Sequence, residues 1–177
     1  MNLVYIQWII ALFLATTFGE EFKRVCYFTN WSNKRPVVKL NFQLVDIDPS
    51  LCTHIVYAFA KLDTASKRLV ASQSDDDNGQ LGALKHGRFF DFTALKKHQP
   101  GLVTLLSVGG AGDKVSGEFA SVSQSKEDRR LFARNCRIFL RDRDFDGLDI
   151  DWEFPTDIFK DDFTLMLKIG VFRINDF

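Results

Sequence analysis

Residues 146–155 read Asp-Gly-Leu-Asp-Ile-Asp-Trp-Glu-Phe-Pro, an alternation of acidic and apolar side chains. Asp149, Asp151 and Glu153 occupy every second position of this stretch. Successive side chains of a β-strand point to opposite faces, so the spacing predicts a strand with its three acids on one face and apolar residues on the other. Neighbouring carboxylates raise one another's pKa, and such a row is typical of a site that holds a proton for catalysis. The stretch therefore predicts an active-site strand.

The same row resembles the Asp-x-x-Asp-x-Asp-x-Glu motif of glycoside hydrolase family 18, the family of chitinases and chitinase-like lectins. Three other stretches resemble this family in the order in which its members show them. Residues 25–31 (VCYFTNW) resemble its first barrel strand, residues 51–60 (LCTHIVYAFA) its second and residues 105–110 (LLSVGG) the end of its third. The resemblance covers residues 23–168 and implies an α/β fold of the (β/α)8 TIM-barrel type.

The length of the chain limits how much of such a barrel it can hold. A complete barrel takes about 250 residues, whereas this chain has 177 and shows four strand–helix units. We therefore expect a barrel truncated to its first four units, with residues 20–177 as a partial catalytic domain. Residues 169–177 do not match the family, and we expect the transcript to continue from near Lys168. The alternative is a genuine short product, which we expect to be catalytically silent.

The N-terminus predicts export from the cell. Residues 3–18 form an almost unbroken apolar run that is shorter than the ~20 residues of a membrane-spanning helix, and Thr17 and Gly19 provide small residues for cleavage. We interpret residues 1–19 as a secretory signal peptide, with a signal anchor as the alternative. The predicted location is extracellular, without membrane attachment after cleavage.

The cysteines agree with an oxidising compartment. Cys26 and Cys52 lie at the same ends of two predicted neighbouring strands, which brings their Cα atoms near the separation of a disulfide, and the family resemblance implies the same pair. Cys136 lies on the apolar stripe of a predicted helix over residues 126–141, so we expect a buried free thiol.

Several local patterns give further predictions. Residues 72–87 contain an acidic run that we interpret as a solvated surface loop, because the spacing of a known calcium loop is absent. Residues 91–98 predict a helix that begins at Asp91 and is stopped by Pro100 and Gly101. Ser125 resembles the first residue of a capping box. The glycosylation sequon at Asn30 follows a barrel strand directly, so we expect it to be unmodified.

The resemblance implies a division of labour among the acids. Family 18 is an exception to the two-carboxylate scheme, because the 2-acetamido oxygen of the sugar is the nucleophile. Glu153 matches the acid that protonates the leaving oxygen. Asp151 is expected to hydrogen-bond first to Glu153 and then to the acetamido N–H, and Asp149 to share a proton with Asp151. Asp146 is expected to act at the start of the strand. No metal or organic cofactor is implied.

Four residues are candidates for binding the sugar. Trp31 matches the aromatic platform on which the family stacks a sugar ring, with core packing as the alternative. Tyr27 is expected at the floor of the pocket. Gly109 and Gly110 allow close approach of the backbone to substrate, although a turn that ends the strand would explain them equally well. The family often has Trp after these glycines, and here Ala111 stands in its place.

The predicted function is retaining hydrolysis of β-1,4-linked N-acetylglucosamine polymers by a monomeric, secreted chitinase, with chitin or its oligosaccharides as partners. The formal net charge of +0 argues against nucleic acid, because phosphate binding needs a basic excess. The alternative is a chitin-binding lectin of the same family without catalysis. Lectin-type members commonly replace the acid at the end of the row, whereas this chain has Glu153.

Overall fold

A computed structural model describes residues 22–77 and 87–169 of the chain. The predicted signal peptide and residues 170–177 lie outside these described residues. Four parallel strands form the central sheet in the order β1 (Val25–Thr29), β2 (His54–Asp63), β4 (Val103–Ala111) and β5 (Gly147–Glu153). A short strand, β3 (Arg68–Val70), pairs antiparallel with the end of β2. The repeated parallel strand–crossover–strand pattern confirms the predicted α/β fold.

Helices occupy the connections between these strands and follow the last strand. They are α1 (Ser74–Asp77), α2 (Arg88–Thr93), α3 (Asp113–Ser123), α4 (Lys126–Asp142) and α5 (Lys160–Lys168). Single 3-10 turns lie at Ser32–Lys34, Val38–Leu40, Leu44–Asp46, Pro49–Leu51, Ala94–Lys97 and Asp157–Phe159. Within the described residues, no helix is long and apolar enough to cross a membrane.

The core lies between the sheet and these helices, and aromatic rings fill much of it. The ring of Tyr57 on β2 is fully buried, with its centroid 5.0 Å from that of Phe89 and 5.1 Å from that of Phe92. Helix α4 covers the neighbouring part of the sheet with buried apolar residues, including Phe132, Cys136 and Leu140. These contacts hold the outward face of the sheet, so the opposite face remains for the acids.

The predictions for α4 and for the cysteines are confirmed. The Ser125 hydroxyl accepts a hydrogen bond from the backbone N–H of Asp128 at 2.9 Å, as the N-cap residue before a helix does. Cys26 and Cys52 form a disulfide with a Cα–Cα distance of 6.1 Å. Cys136 is a fully buried free cysteine, and burial raises the pKa of its thiol.

The predicted helix over residues 91–98 is wrong at its N-terminus. Helix α2 begins three residues earlier, at Arg88, and continues as a 3-10 turn over Ala94–Lys97. The chain enters the helix at Gly87, whose φ is +79° and where a Cβ would lie 2.7 Å from the carbonyl oxygen of Asp76. Glycine is therefore required there, and the helix places Phe89 and Phe92 into the core.

The interpretation of residues 72–87 as a solvated loop is also wrong in its described part. Residues 74–77 form the single turn α1, and the Asp76 side chain is completely buried. It accepts hydrogen bonds from the Tyr57 hydroxyl at 2.5 Å and from the Asn30 amide at 2.9 Å. Residues 78–86 lie outside the described part. The acidic run thus contributes a buried polar anchor, which no local pattern indicated.

Candidate active site

The three acids of β5 lie at the carboxyl end of the parallel sheet. Leu148 and Trp152 are buried on the helix side of the strand, while Asp149, Asp151 and Glu153 are half-buried on the opposite face. Trp152 packs face to face on Phe119 with 5.4 Å between ring centroids. The alternation predicted from the sequence is therefore confirmed. It results from burial of the apolar residues, which forces the acids to the inner face.

Asp149 lies deepest in the row and is held by neutral donors. Its Oδ2 accepts hydrogen bonds from the Ser107 hydroxyl at 2.6 Å and from the Tyr27 hydroxyl at 3.0 Å. Ser107 is its direct neighbour across the β4–β5 pair, whereas Tyr27 reaches it from β1. Burial and then the negative charges of Asp149 and Asp151 raise the pKa of the Tyr27 phenol to about 12. Tyr27 therefore remains a neutral donor at physiological pH.

Asp151 interacts with the acid on its other side. Burial, the charge of Glu153 and the charge of Asp149, in that order, raise the pKa of the Asp151 carboxyl, and a hydrogen bond to Glu153 raises it further. The carboxyl groups of Asp151 and Glu153 therefore lie close enough to interact, as the expected hydrogen bond between them requires. The expected proton sharing between Asp149 and Asp151 stays a prediction; Asp149 accepts hydrogen bonds from Tyr27 and Ser107 at its Oδ2, and its charge contributes to the raised pKa of Asp151.

The paired glycines lie within β4 and not in a turn after it. Gly109 has φ +125° and pairs with Asp151, whose carbonyl oxygen would lie 2.0 Å from a Cβ at this position. Gly110 has φ +96°, and a Cβ there would lie 3.2 Å from the ring of Phe59. The interpretation as a strand-ending turn is wrong. The observed close approach at Gly109 is to the backbone of the acidic strand.

Trp31 stands two residues beyond the end of β1 and is 47% exposed. Its indole ring stacks on Phe59 with an interplanar angle of 20° and 5.9 Å between centroids. Core packing, the alternative from the sequence, is therefore wrong, because nearly half of the residue is accessible. Trp31 and Phe59 form an aromatic pair whose inner member also lies against Gly110.

Other polar residues support the site from outside. Asp146 precedes β5 and accepts hydrogen bonds from the Thr104 backbone at 2.7 Å and from Lys96 at 3.1 Å, which confirms its role at the strand start. Asn30 is 1% exposed, and its carbonyl oxygen accepts a hydrogen bond from Arg88 at 2.7 Å. Its side-chain amide donates to the buried carboxylate of Asp76 at 2.9 Å, and a glycan on this amide would have to disrupt that contact, in agreement with an unmodified sequon.

Sequence reasoning missed Ser107, Phe59 and the buried residue Asp76. Ser107 was detectable, because it lies two residues before Gly109 and therefore on the same side of β4 by alternation. Phe59 and Asp76 gave no comparable signal, since their partners are remote in sequence. Among residues 22–77 and 87–169, no three His, Cys, Asp or Glu side chains are arranged to hold a metal ion.

Comparison with known proteins agrees with this arrangement. The sequence model of the family described as Glycosyl hydrolases family 18 matches residues 23–169, and the chain belongs to this family. It is 35% identical to mouse chitotriosidase-1 over 158 residues, which span 88% of this chain and 28% of that protein. The chain thus spans less than a third of the length of this relative.

Solved structures show the same fold. The Group IV chitinase of Ostrinia furnacalis matches with a TM-score of 0.71 and 32% identity over 84% of this chain and 40% of that chain. Human YKL-39, described as a pseudo-chitinase with retained chitooligosaccharide binding properties, matches with a TM-score of 0.69 and 32% identity over 84% of this chain and 37% of that chain. The sheet is therefore similar to part of the chitinase TIM barrel, and the family contains both enzymes and non-catalytic binders.

Proposed function

We propose that the chain provides the acidic half of a chitinase active site that cleaves β-1,4-linked N-acetylglucosamine polymers. The observation that best supports this function is the Asp151–Glu153 pair at the carboxyl end of β5. Burial and the charges of Glu153 and Asp149 raise the pKa of the Asp151 carboxyl, which favours a proton in this row of acids. A general acid needs such a proton near neutral pH.

In the proposed reaction the three acids have different roles, from Glu153 at the strand end to Asp149, the deepest of the row. Glu153 donates its proton to the glycosidic oxygen while the acetamido oxygen of the sugar attacks the anomeric carbon, and the leaving sugar takes that proton. Asp151 then turns to the acetamido N–H and stabilises the positive charge of the cyclic intermediate. Glu153, now ionised, removes a proton from the water that opens the intermediate, which gives retention. Asp149 is held in place next to Asp151 by hydrogen bonds from Tyr27 and Ser107.

Sugar binding is proposed for the rim next to these acids. Trp31 offers an exposed ring face at the end of β1, and stacking of a sugar ring on an aromatic face buries its apolar C–H surface. Tyr27 lines the floor through its contact with Asp149. Gly109 contributes to catalysis only indirectly, because its lack of a side chain leaves room for the backbone of Asp151.

We also propose that the protein is a secreted monomer, on the basis of the apolar residues 3–18 and the disulfide between Cys26 and Cys52.

A second candidate function is glycan binding without cleavage. Its support is the likeness to human YKL-39, a pseudo-chitinase that binds chitooligosaccharides. The two functions differ at the proton donor, because binding requires no acid at the scissile bond. Glu153 supports the catalytic alternative.

The decisive experiment measures fluorophore release from a labelled chitooligosaccharide between pH 4 and 8, together with binding of an unlabelled one. It uses the 177-residue chain together with any longer product of the same transcript, for which the messenger is sequenced across the codon of Lys168; this longer product is called the full-transcript product. Glu153→Gln should lower the rate by about 100-fold to 10,000-fold, because the amide cannot donate the proton, and leave binding intact. Asp151→Asn should also lower the rate by orders of magnitude.

Glu118→Gln provides the matched control, because Glu118 pairs with the exposed Lys114 on helix α3. It should retain the wild-type rate. Binding without release by either wild-type product at any pH in this range would support the lectin function. A wild-type rate in Glu153→Gln would contradict the assigned proton donor.

A further inference from the structure

Ser116 joins the two residues that flank Glu153. Its hydroxyl oxygen accepts a hydrogen bond from the Trp152 indole N–H at 2.8 Å. The same hydroxyl donates a hydrogen bond to the carbonyl oxygen of Phe154 at 3.2 Å. A serine hydroxyl has one proton to donate and lone pairs to accept with, so the two contacts use it in both roles and fix its direction. From this geometry we propose that Ser116 is a positioning residue for Glu153.

The end of the sheet explains why such a residue is needed. The pairing of β4 with β5 ends at Ala111 opposite Glu153, one residue before Phe154. The side chain of Phe154 is largely solvent-exposed, 77% for the residue, and gives the backbone little anchorage. The hydroxyl of Ser116 donates to the Phe154 carbonyl beyond the last paired residue. The strand is thereby held on both sides of its final acid.

The element that carries Ser116 is itself held next to this strand end. Gly112 alone separates β4 from α3, and the Ser116 N–H donates to the Gly112 carbonyl at 3.1 Å in the first turn of the helix. The first turn of α3 therefore stays where Ala111 pairs with Glu153. On the other side, Trp152 is packed against Phe119, and its N–H can be satisfied by the serine while the ring stays buried.

The consequence concerns the direction of the Glu153 side chain. Fixing the residues before and after Glu153 fixes the backbone from which its side chain leaves, and so the distance of its carboxyl group from Asp151. Loss of the hydroxyl would free the Phe154 carbonyl and leave the buried Trp152 N–H without this partner. We expect Glu153 to move away from Asp151. Because a displacement of about 1 Å can lower a catalytic rate ~100-fold, Ser116 controls the rate more than glycan affinity.

This inference rests on the proposed role of Glu153, so its test has a readout that needs no turnover. The 177-residue chain is labelled with ¹³C at Asp and Glu carboxyl carbons and with ¹⁵N at the Trp indoles. The Asp151 carboxyl is then titrated by NMR, with Asp151→Asn used for assignment. In Ser116→Ala and in Ser116→Cys, the titration of Asp151 should move down towards that of an ordinary aspartate, and the Trp152 indole signal should shift.

Ser116→Thr keeps the hydroxyl and should restore both wild-type signals. Ser121→Ala is the matched control on the same helix, because the Ser121 hydroxyl donates to the carbonyl of Glu118 within α3, and it should change neither signal. Hydrolysis by the full-transcript product should show kcat lowered ~10-fold to 100-fold in Ser116→Ala with KM nearly unchanged.

Two outcomes would overturn the proposal. One is a folded Ser116→Ala or Ser116→Cys chain in which Asp151 titrates as in the wild type. The other is a chain that folds with Thr at position 116 but with neither Ala nor Cys, since Ser116 would then act on stability alone. Absence of hydrolysis in the wild type would count against the proposed function and leave the NMR comparison to decide on Ser116.

Discussion

Replacing Gly109 by alanine tests how closely the acidic strand depends on its neighbour. The added Cβ would lie 2.0 Å from the carbonyl oxygen of Asp151, whereas real Cβ contacts essentially never fall below 3.0 Å. Strands β4 and β5 would therefore have to separate by about 1 Å at this pair, against a normal strand spacing of about 4.8 Å. The φ of +125° adds strain for any residue with a Cβ.

The expected loss of stability has two parts. A non-glycine residue at an unfavourable positive φ costs about 1–3 kcal/mol, and insertion of an extra carbon into a packed position costs ~1–3 kcal/mol. Gly109→Ala should therefore lower the free energy of unfolding by about 2–6 kcal/mol. Urea unfolding of the 177-residue chain, followed by circular dichroism, measures this quantity.

Gly112→Ala separates the two parts. Gly112 has φ +130°, close to that of Gly109, but no atom lies within 4 Å of its Cβ position. Its replacement should show the loss from φ alone, about 1–3 kcal/mol. Gly112 also precedes α3, and alanine caps a helix less well than glycine. This effect adds to the loss of stability in Gly112→Ala, so it makes the expected difference between the two variants smaller. Equal losses in the two variants, within ~0.5 kcal/mol, would refute the steric argument at Asp151.

Three further predictions concern the anchors of the site. Replacing Cys26 and Cys52 together by serine should lower the free energy of unfolding by ~3–4 kcal/mol, because the disulfide closes a loop of 26 residues. Urea unfolding under oxidising conditions measures this change. An unaltered unfolding midpoint would contradict it. Asp76→Ala should lower the free energy of unfolding by ~3–5 kcal/mol, because it removes a buried and paired carboxylate. Asp77→Ala on the same helical turn should lower it by ~1 kcal/mol or less, because the ion pair of Asp77 with Arg143 is partly exposed. Similar losses in the two variants would show that burial of Asp76 adds nothing. Asp151→Asn should raise the melting temperature at pH 7, because the folded state raises the pKa of Asp151 and so disfavours its ionised form. This gain in melting temperature should disappear as the pH falls below the pKa of aspartate in the unfolded chain. A gain that persists at that low pH would contradict the prediction.

The sequence predicted those parts of the fold that a short pattern determines. Alternation placed Asp149, Asp151 and Glu153 on one face, because the period of a strand is local. The disulfide between Cys26 and Cys52 followed from the adjacency of consecutive parallel strands. Helix α4 followed from its apolar period and its Ser125 cap.

The parts that escaped prediction depend on partners far apart in the chain. Asp76 lies in an acidic run that reads as solvated, yet its hydrogen-bond partners Tyr57 and Asn30 lie 19 and 46 residues away. The hydrogen bond from the Tyr27 hydroxyl to Asp149 escaped prediction for the same reason, since the two residues lie 122 positions apart. The three-residue strand β3 was too short to give an alternation signal.

The acidic strand β5 is held in place by neighbouring residues that either lack a side chain or donate a hydrogen bond to it or to the residue that follows it. Gly109 admits the Asp151 backbone, Ser107 donates to Asp149, and Ser116 donates beyond Glu153. All three lie on β4 or on the first turn of the helix that follows it. The acids on β5 can therefore lie close together because one adjacent segment, residues 107–116, fixes the position of their strand. A change in this segment should act on the acids before it acts on the glycan, which separates its effects from those at Trp31.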